Sequence, residues 1–343
     1  MKEPARILIV KPSSLGDVAT CLPLLCDLKI QFPKARIDWV ISPAFDALIK
    51  SHRSLDQCIY FDRAALAGWC WRPAAIKLLR QLITQLRAAK YDVAIDAQGL
   101  MRSALLTWAS GAPMRIGPGD AREGARFLYT HCVNSRRDTE LAVDRMRLLQ
   151  TPLAQLRQKV EFNVPIDAAA AATAAQWLGG GSRSKFLALL PAARWGAKVW
   201  SAEGYIEVGR RAVENGLGVV ILGTAAEAPM CDALAQAVGE NALNLAGKTN
   251  LAEMIAVLNR MSLVVGNDTG PLHVAAALGR PVIGLYGPTD ERSVGPWGQL
   301  DHVLRFGPVA DYRQGAGRII AANLRVLPAE MVWGKMRELL GEN

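Results

Sequence analysis

Several common signatures are missing from this 343-residue sequence, and each absence removes a class of protein. The six cysteines, at 21, 26, 58, 70, 132 and 231, form no C-x-x-C pair, and Cys21 and Cys26 have no histidine near them. That excludes a zinc ribbon or a thioredoxin-type motif and leaves buried thiols in a reducing cytoplasm as the expectation. The four histidines, at 52, 131, 273 and 302, are scattered without zinc-ligand spacing. No G-x-G-x-x-G follows the first apolar run, and there is no G-x-x-x-x-G-K-[ST] and no G-x-S-x-G. These absences weigh against a nicotinamide dehydrogenase, a P-loop kinase and an ordinary α/β-hydrolase. No basic helix carries interleaved aromatics, so no nucleic-acid partner is expected. No window approaches the roughly 18 apolar residues of a membrane span. The start, MKEPARILIV, sets an acid and a proline before a short apolar run and does not read as a signal peptide.

What is present is material for buried cores: 51% of residues are apolar and 21% charged. The length suits two domains of roughly 150 to 170 residues each. A net charge of +9 and an isoelectric point near 9.4 favour an anionic partner. Nucleic acid, a phosphorylated small molecule and an acidic membrane surface all satisfy that charge. Contact with a membrane would be peripheral, from the cytoplasmic side.

Short apolar runs alternate with longer helical patterns throughout, which predicts parallel sheets with helices on both faces. In the first half the expected strands are 6–10, 37–41, 57–61, 92–96 and 114–117. Residues 73–89, with Ile76, Leu79, Leu82, Ile83 and Leu86 in a 3.6-residue rhythm, form a crossover helix. An Ala-rich helix over 167–178 and a Gly179-Gly180-Gly181-Ser182 loop then interrupt the pattern. The second half restarts it, with strands at 186–190, 218–222, 243–245, 263–265 and 281–286 and helices at 201–215 and 251–259. The expected organisation is therefore an α/β chain of two doubly wound units, 1–165 and 166–327, followed by a C-terminal helix within 328–343. Ligands bind at the carboxyl ends of strands in such sheets, so a cleft between the units is the default active site.

Four stretches after strand ends carry chemistry. The first, KPSSLGDVAT over 11–20, sets Lys11, Ser13, Ser14, Gly16 and Asp17 at the end of the first strand. Read locally, Asp17 is an acid in a helix's first turn, where the dipole favours negative charge. The second, Gly266-Asn267-Asp268-Thr269-Gly270-Pro271-Leu272-His273, ends a strand and opens a helix at Pro271 that Gly279 stops. It suits a phosphate, with a well-capped helix as the alternative. His273 is either a polar site group or a partner of the loop. The third, Tyr286-Gly287-Pro288-Thr289-Asp290, is a second polar turn at the same sheet edge. The fourth, 191–200, offers Arg194 and Lys198 as positive charge and Trp200 as an aromatic wall, although each alone is commonly a surface or packing residue. Glu227 lies where a carboxylate could bind ribose hydroxyls, or is a solvated residue at a helix start.

Taken together, Lys11 to Val18, Asp96-Ala97-Gln98-Gly99-Leu100, Lys198-Val199-Trp200 and the two loops from Gly266 and Tyr286 resemble the ADP-heptose:lipopolysaccharide heptosyltransferases, family 9 of the glycosyltransferases. The Ser13-Ser14-Leu15-Gly16-Asp17 piece is most like the heptosyltransferase I subgroup. The resemblance implies a GT-B fold, two Rossmann-like domains facing across a cleft, with the last helix packing back toward the N-terminal domain. It implies inverting transfer of a heptose from ADP-heptose to the Kdo of lipid A-Kdo2, on the cytoplasmic face of the inner membrane, with no cofactor. Asp17 would be the general base. Lys198 would hold the diphosphate, Glu227 the ribose, and Asp268, Thr269 and Gly270 the nucleotide phosphates, with Arg194, Trp200 and His273 on the same donor side. Lys11, Ser13, Ser14, Gly16 and Gln98 would lie on the acceptor side. With no D-x-D near the phosphate loops, metal independence is expected. The chain departs from the subgroup at Leu141, where a histidine is common. Alternatives are a family member with another donor or acceptor, a GT-B-like sugar-nucleotide epimerase, and a non-catalytic nucleotide-sugar binding module that would not need Asp17.

Overall fold

The computed structural model describes residues 3–67, 71–136, 140–179, 185–309 and 324–341. Cys70, Arg137 and the loop Gly180-Gly181-Ser182 lie outside the described residues. The chain divides into two compact units, Met1–Pro165 and Ile166–Asn343.

The first unit runs β1 (Arg6–Val10), α1 (Leu15–Gln31), β2 (Arg36–Ile41), β3 (Gln57–Tyr60), α2 (Pro73–Ala88), β4 (Val93–Asp96), α3 (Met101–Ala109), β5 (Met114–Pro118), β6 (His131–Val133) and α4 (Ala142–Leu148). Its sheet has the order β3-β2-β1-β4-β5-β6, and every pairing is parallel. The central strands are apolar because helices cover both faces: Ile7, Leu8, Ile9 and Val10 are fully buried. Helix α2 buries Leu82 and Leu86 of its expected rhythm, with Ala75 beside them, while Ile76, Leu79 and Ile83 stay half-buried. Inside the unit, Asp27 of α1 is fully buried and accepts from Arg147 Nε at 2.7 Å and Gln150 Nε2 at 3.0 Å. This ties the end of α4 and the residues after it back onto α1.

The second unit runs α5 (Ala168–Trp177), β7 (Phe186–Leu190), α6 (Ala202–Glu214), β8 (Gly218–Ile221), α7 (Ala228–Val238), β9 (Ala242–Asn244), α8 (Leu251–Asn259), β10 (Leu263–Asn267), α9 (Gly270–Ala277), β11 (Val282–Tyr286), α10 (Glu291–Val294), β12 (Val303–Arg305) and α11 (Ala329–Leu340). Its order, β12-β11-β10-β7-β8-β9, repeats the first unit's arrangement in the same sequential sense. Each sheet is therefore doubly wound, with its switch point between β1 and β4 in one and between β7 and β10 in the other.

Three expectations need correction. Strands β6 and β12 were not foreseen; each is three residues long at a sheet edge and lacks an apolar run. Helix α11 gives its apolar face to the second unit. Val332, Trp333 and Met336 join that unit's core, and Arg211 of α6 pairs with Glu330. The thiols are not uniformly buried: Cys132 is exposed and Cys58 half-buried. Trp200 is treated with the site below. Among the described residues, no helix is long and apolar enough to cross a membrane.

Candidate active site

The switch point of the first unit falls where β1 and β4 hand over to their loops. After β1, Trp39 Nε1 donates to Lys11 O at 3.1 Å and Ser42 N to Pro12 O at 3.1 Å, pinning residues 11–14 against the end of β2. Helix α1 then starts with Ser14 as its N-cap. Asp17 Oδ2 accepts from Ser14 N at 3.0 Å and Ser14 Oγ at 2.7 Å, while Oδ1 lies 3.7 Å from Lys11 Nζ. The carboxylate thus caps its helix as the local reading required, and at 49% exposure it remains reachable from outside. Gly16 is buried behind it in the first turn.

After β4, Asp96 organises the second loop. Its fully buried carboxylate accepts from Gln98 N, Gly99 N, Ser103 Oγ and Tyr129 Oη at 2.7–3.0 Å. Burial raises its pKa, against the pull of those four donors. Tyr129 reaches it across Gly117, where a Cβ would stand 2.3 Å from the ring. Between the two loops lies a cavity of about 220 Å³ lined by Ser13, Gln98, Ser42, Arg63 and Arg102, among others. Gln98 Oε1 is buried there with no hydrogen-bond partner. Ser13 and Gln98 therefore come together as expected of one site. Arg63 and Arg102 were not anticipated, since neither belongs to a motif; both follow closely on a strand's carboxyl end.

In the second unit, Asn267 fastens the two switch-point loops. Its Oδ1 accepts from Trp200 N at 3.1 Å, and its Nδ2 donates to Pro191 O at 2.8 Å. The fastening brings Lys198 Nζ to 2.5 Å from Asp268 Oδ2, with His273 Nε2 3.4 Å from Oδ1. Burial alone would raise the Asp268 carboxyl, but the His273 bond and the Lys198 charge outweigh it and hold the group well below the usual carboxylate range. Lys198 also sits 5.2 Å over the Trp195 ring. Thr269 is the N-cap of α9 by position, yet its side chain makes no cap bond and its buried Oγ1 has no partner. Thr289 Oγ1, after β11, is likewise buried and unpartnered. Thr289 was a residue of a noted turn but not a chosen site residue.

Arg194 is exposed on the β7 loop and has no hydrogen-bond or ion-pair partner among the described residues. Glu227 Oε2 accepts from Thr224 N at 2.7 Å, so this carboxylate serves its own helix start. Gly270 begins α9 beside Thr269. Trp200 departs from its expectation as an aromatic wall. It is 1% exposed, stacks edge-to-face on Tyr205 with centroids 4.9 Å apart, and donates through Nε1 to Leu327 O at 2.9 Å. Its ring is core; only its backbone N–H serves the loop.

Chemically, the second unit sets Lys198 and the unpartnered Thr269 hydroxyl at the N-terminal end of α9, features that suit an anion. The first unit offers a reachable carboxylate and a cavity whose lining includes two arginines. Among the described residues, no group of three or more His, Cys, Asp or Glu side chains is arranged to hold a metal ion.

A model of glycosyltransferase family 9 (heptosyltransferase) matches residues 79–313, more than half of the chain. The chain belongs to this family. Lipopolysaccharide heptosyltransferase 1 of Escherichia coli K12 is 30% identical over 317 residues, covering 88% of this chain and 93% of that protein. Lipopolysaccharide heptosyltransferase 2 of the same organism is 27% identical over 316 residues, with 88% of each covered. The solved structure of the E. coli heptosyltransferase WaaC with ADP superposes with a TM-score of 0.79 at 26% identity, over 97% of this chain and 99% of that one. The fold of this family 9 glycosyltransferase is accordingly GT-B, two parallel-sheet Rossmann-like domains.

Proposed function

We propose that this family 9 glycosyltransferase transfers a heptose from ADP-heptose to a Kdo residue of lipid A-Kdo2 in lipopolysaccharide core assembly, with inversion and without a metal. The observation that carries the donor half is the Lys198–Asp268–His273 cluster beside the unpartnered Thr269 hydroxyl, at a doubly wound switch point where a diphosphate would meet a lysine and a helix start. Relatives whose names specify lipopolysaccharide heptosyl transfer, and a related structure with ADP, support the sugar and the nucleotide. Identities of 30% and 27% hardly separate the first from the second heptose. The Ser13-Ser14-Leu15-Gly16-Asp17 stretch favours the first, and with it the Kdo acceptor.

In this mechanism the acceptor hydroxyl attacks the anomeric carbon from the face opposite the nucleotide. The new glycosidic C–O bond forms as the bond to the ADP oxygen breaks, and the hydroxyl proton passes to Asp17. ADP leaves with one more negative charge, which Lys198 and the first-turn N–H groups of α9 stabilise. Glu227 orients the ribose, with Oε2 already committed to Thr224 N. The cationic surplus suits an anionic glycolipid in the cytoplasmic leaflet, where the protein would act peripherally.

Incubation with ADP-heptose and Kdo2-lipid A tests the proposal. ADP should appear in step with heptosylated glycolipid, undiminished by EDTA. Donor consumption without an acceptor-linked product, as an epimerase or hydrolase would give, contradicts transfer; full dependence on added metal contradicts the charge assignment to Lys198 and α9.

A further inference from the structure

An apolar slot of about 450 Å³ opens beside the cavity that lies between the two loops of the first unit. It runs between α2 and α3, with Leu79 and Ile83 on one wall, Leu105 and Trp108 on the other, and Leu66 and Ala67 at its edge. Phe61, Arg63, Arg102 and Leu106 line both spaces, so the slot and the cavity adjoin. Leu105 and Trp108 are 48% and 51% exposed, which leaves a long apolar wall uncovered on an otherwise ordinary helix face. At the junction stand the two arginines, neither of which has a hydrogen-bond or ion-pair partner among the described residues. Beyond them lies the orphaned Gln98 Oε1.

Apolar walls that end at two unpaired guanidiniums with Ser13 and Gln98 behind them match one kind of ligand, an amphiphile with an anionic head. A second copy of the chain fits poorly. It would bring a chain of net charge +9 against two guanidiniums. We propose that the slot between α2 and α3 receives one acyl chain of the lipid acceptor, while Arg63 and Arg102 hold the anionic head beside Ser13 and Gln98. This rests on the glycolipid acceptor proposed above and adds how its lipid part is recognised. The first unit then reads the acceptor at both ends: sugar and charge near Asp17, hydrocarbon in the slot.

Calorimetric titration of the intact protein with butyl, octyl and dodecyl phosphate, each below its critical micelle concentration, tests the slot without donor or sugar. Affinity should rise roughly two- to fourfold per added methylene until the slot is filled, with a negative heat-capacity change and one dodecyl phosphate per chain. Leu105→Asp, at a half-exposed position, should remove the chain-length dependence, and Ala67→Trp should shorten the longest chain accepted. Equal affinity for butyl and dodecyl phosphate, or a chain-length series that survives both variants, would overturn the proposal. So would dimerisation that Leu105→Asp abolishes in a protein that binds no alkyl phosphate. If the series behaves as expected but Kdo2-lipid A gains no heptose, the slot stands and the acceptor assignment falls; if heptose is transferred without any chain-length dependence, the reverse holds.

Discussion

Three carboxylates occupy the strand ends at the two switch points, and their surroundings give them different work. Asp96 is sealed under four donors and its pKa is raised by burial, so it holds a loop. Asp268 is 8% exposed and locked between Lys198 and His273. Asp17 alone of the three is half exposed, with its Ser14 bonds both on Oδ2. A general base must be reached by the hydroxyl it deprotonates, and that favours Asp17. The Asp268 assignment has a pH signature. Because its folded-state pKa is depressed, its contribution to stability is whole above about pH 4, the ordinary carboxylate range, and is lost as pH falls toward the folded value. Asp268→Asn should therefore destabilise the protein most at pH 7 and progressively less below pH 4, in urea titrations across that range. A deficit that stays constant with pH would contradict the ion-pair assignment.

At the scale of elements, the sequence was most legible where local pattern and burial agree. Strand β1 reads directly from its apolar run, and α2 from its 3.6-residue rhythm, because a central parallel strand and an amphipathic helix each leave an unmistakable periodicity. Strands β6 and β12 leave none, being three-residue edges that end in Val133 and Arg305. The bounds of α11 were legible, but periodicity reports that one face is buried, not what buries it. Trp200 failed for the same reason: a tryptophan after a strand end points inward or outward according to tertiary packing. Lys198, Asp268 and Thr269 announced themselves by motif, whereas Arg63 and Arg102 belong to the cavity only through the fold. The Asp27 network was also invisible, since its partners are more than a hundred residues away. Removing one member leaves buried guanidinium and amide groups uncompensated, so Asp27→Ala should cost the first unit about 3 to 5 kcal/mol. The unfolding transition of that unit, followed by denaturant titration, checks this; a loss under about 1 kcal/mol would mean the network is incidental.

Across the whole molecule, the same doubly wound order is used twice, and each copy puts its chemistry at the point where strand order reverses. One copy offers the proposed phosphate site, with a lysine, a helix N-terminus and an unpartnered hydroxyl; the other offers a reachable carboxylate, a cavity lined by two arginines and an apolar slot. That separation gives the proposed transfer its logic: donor affinity belongs to the second unit, and acceptance of the proton to the first. The two are separable in one variant. Asp17→Asn keeps the size of the side chain and a carbonyl acceptor for Ser14 but removes the basic oxygen, so the proposed role is lost while the helix start is largely kept. Measured together, kcat for heptose transfer and the Kd for ADP give the most direct test. The account predicts a fall in kcat of roughly 10²- to 10⁴-fold with ADP affinity unchanged within about twofold, because the nucleotide site shares no residue with Asp17. Wild-type turnover in Asp17→Asn, or a loss of ADP binding equal to the loss of rate, would contradict it.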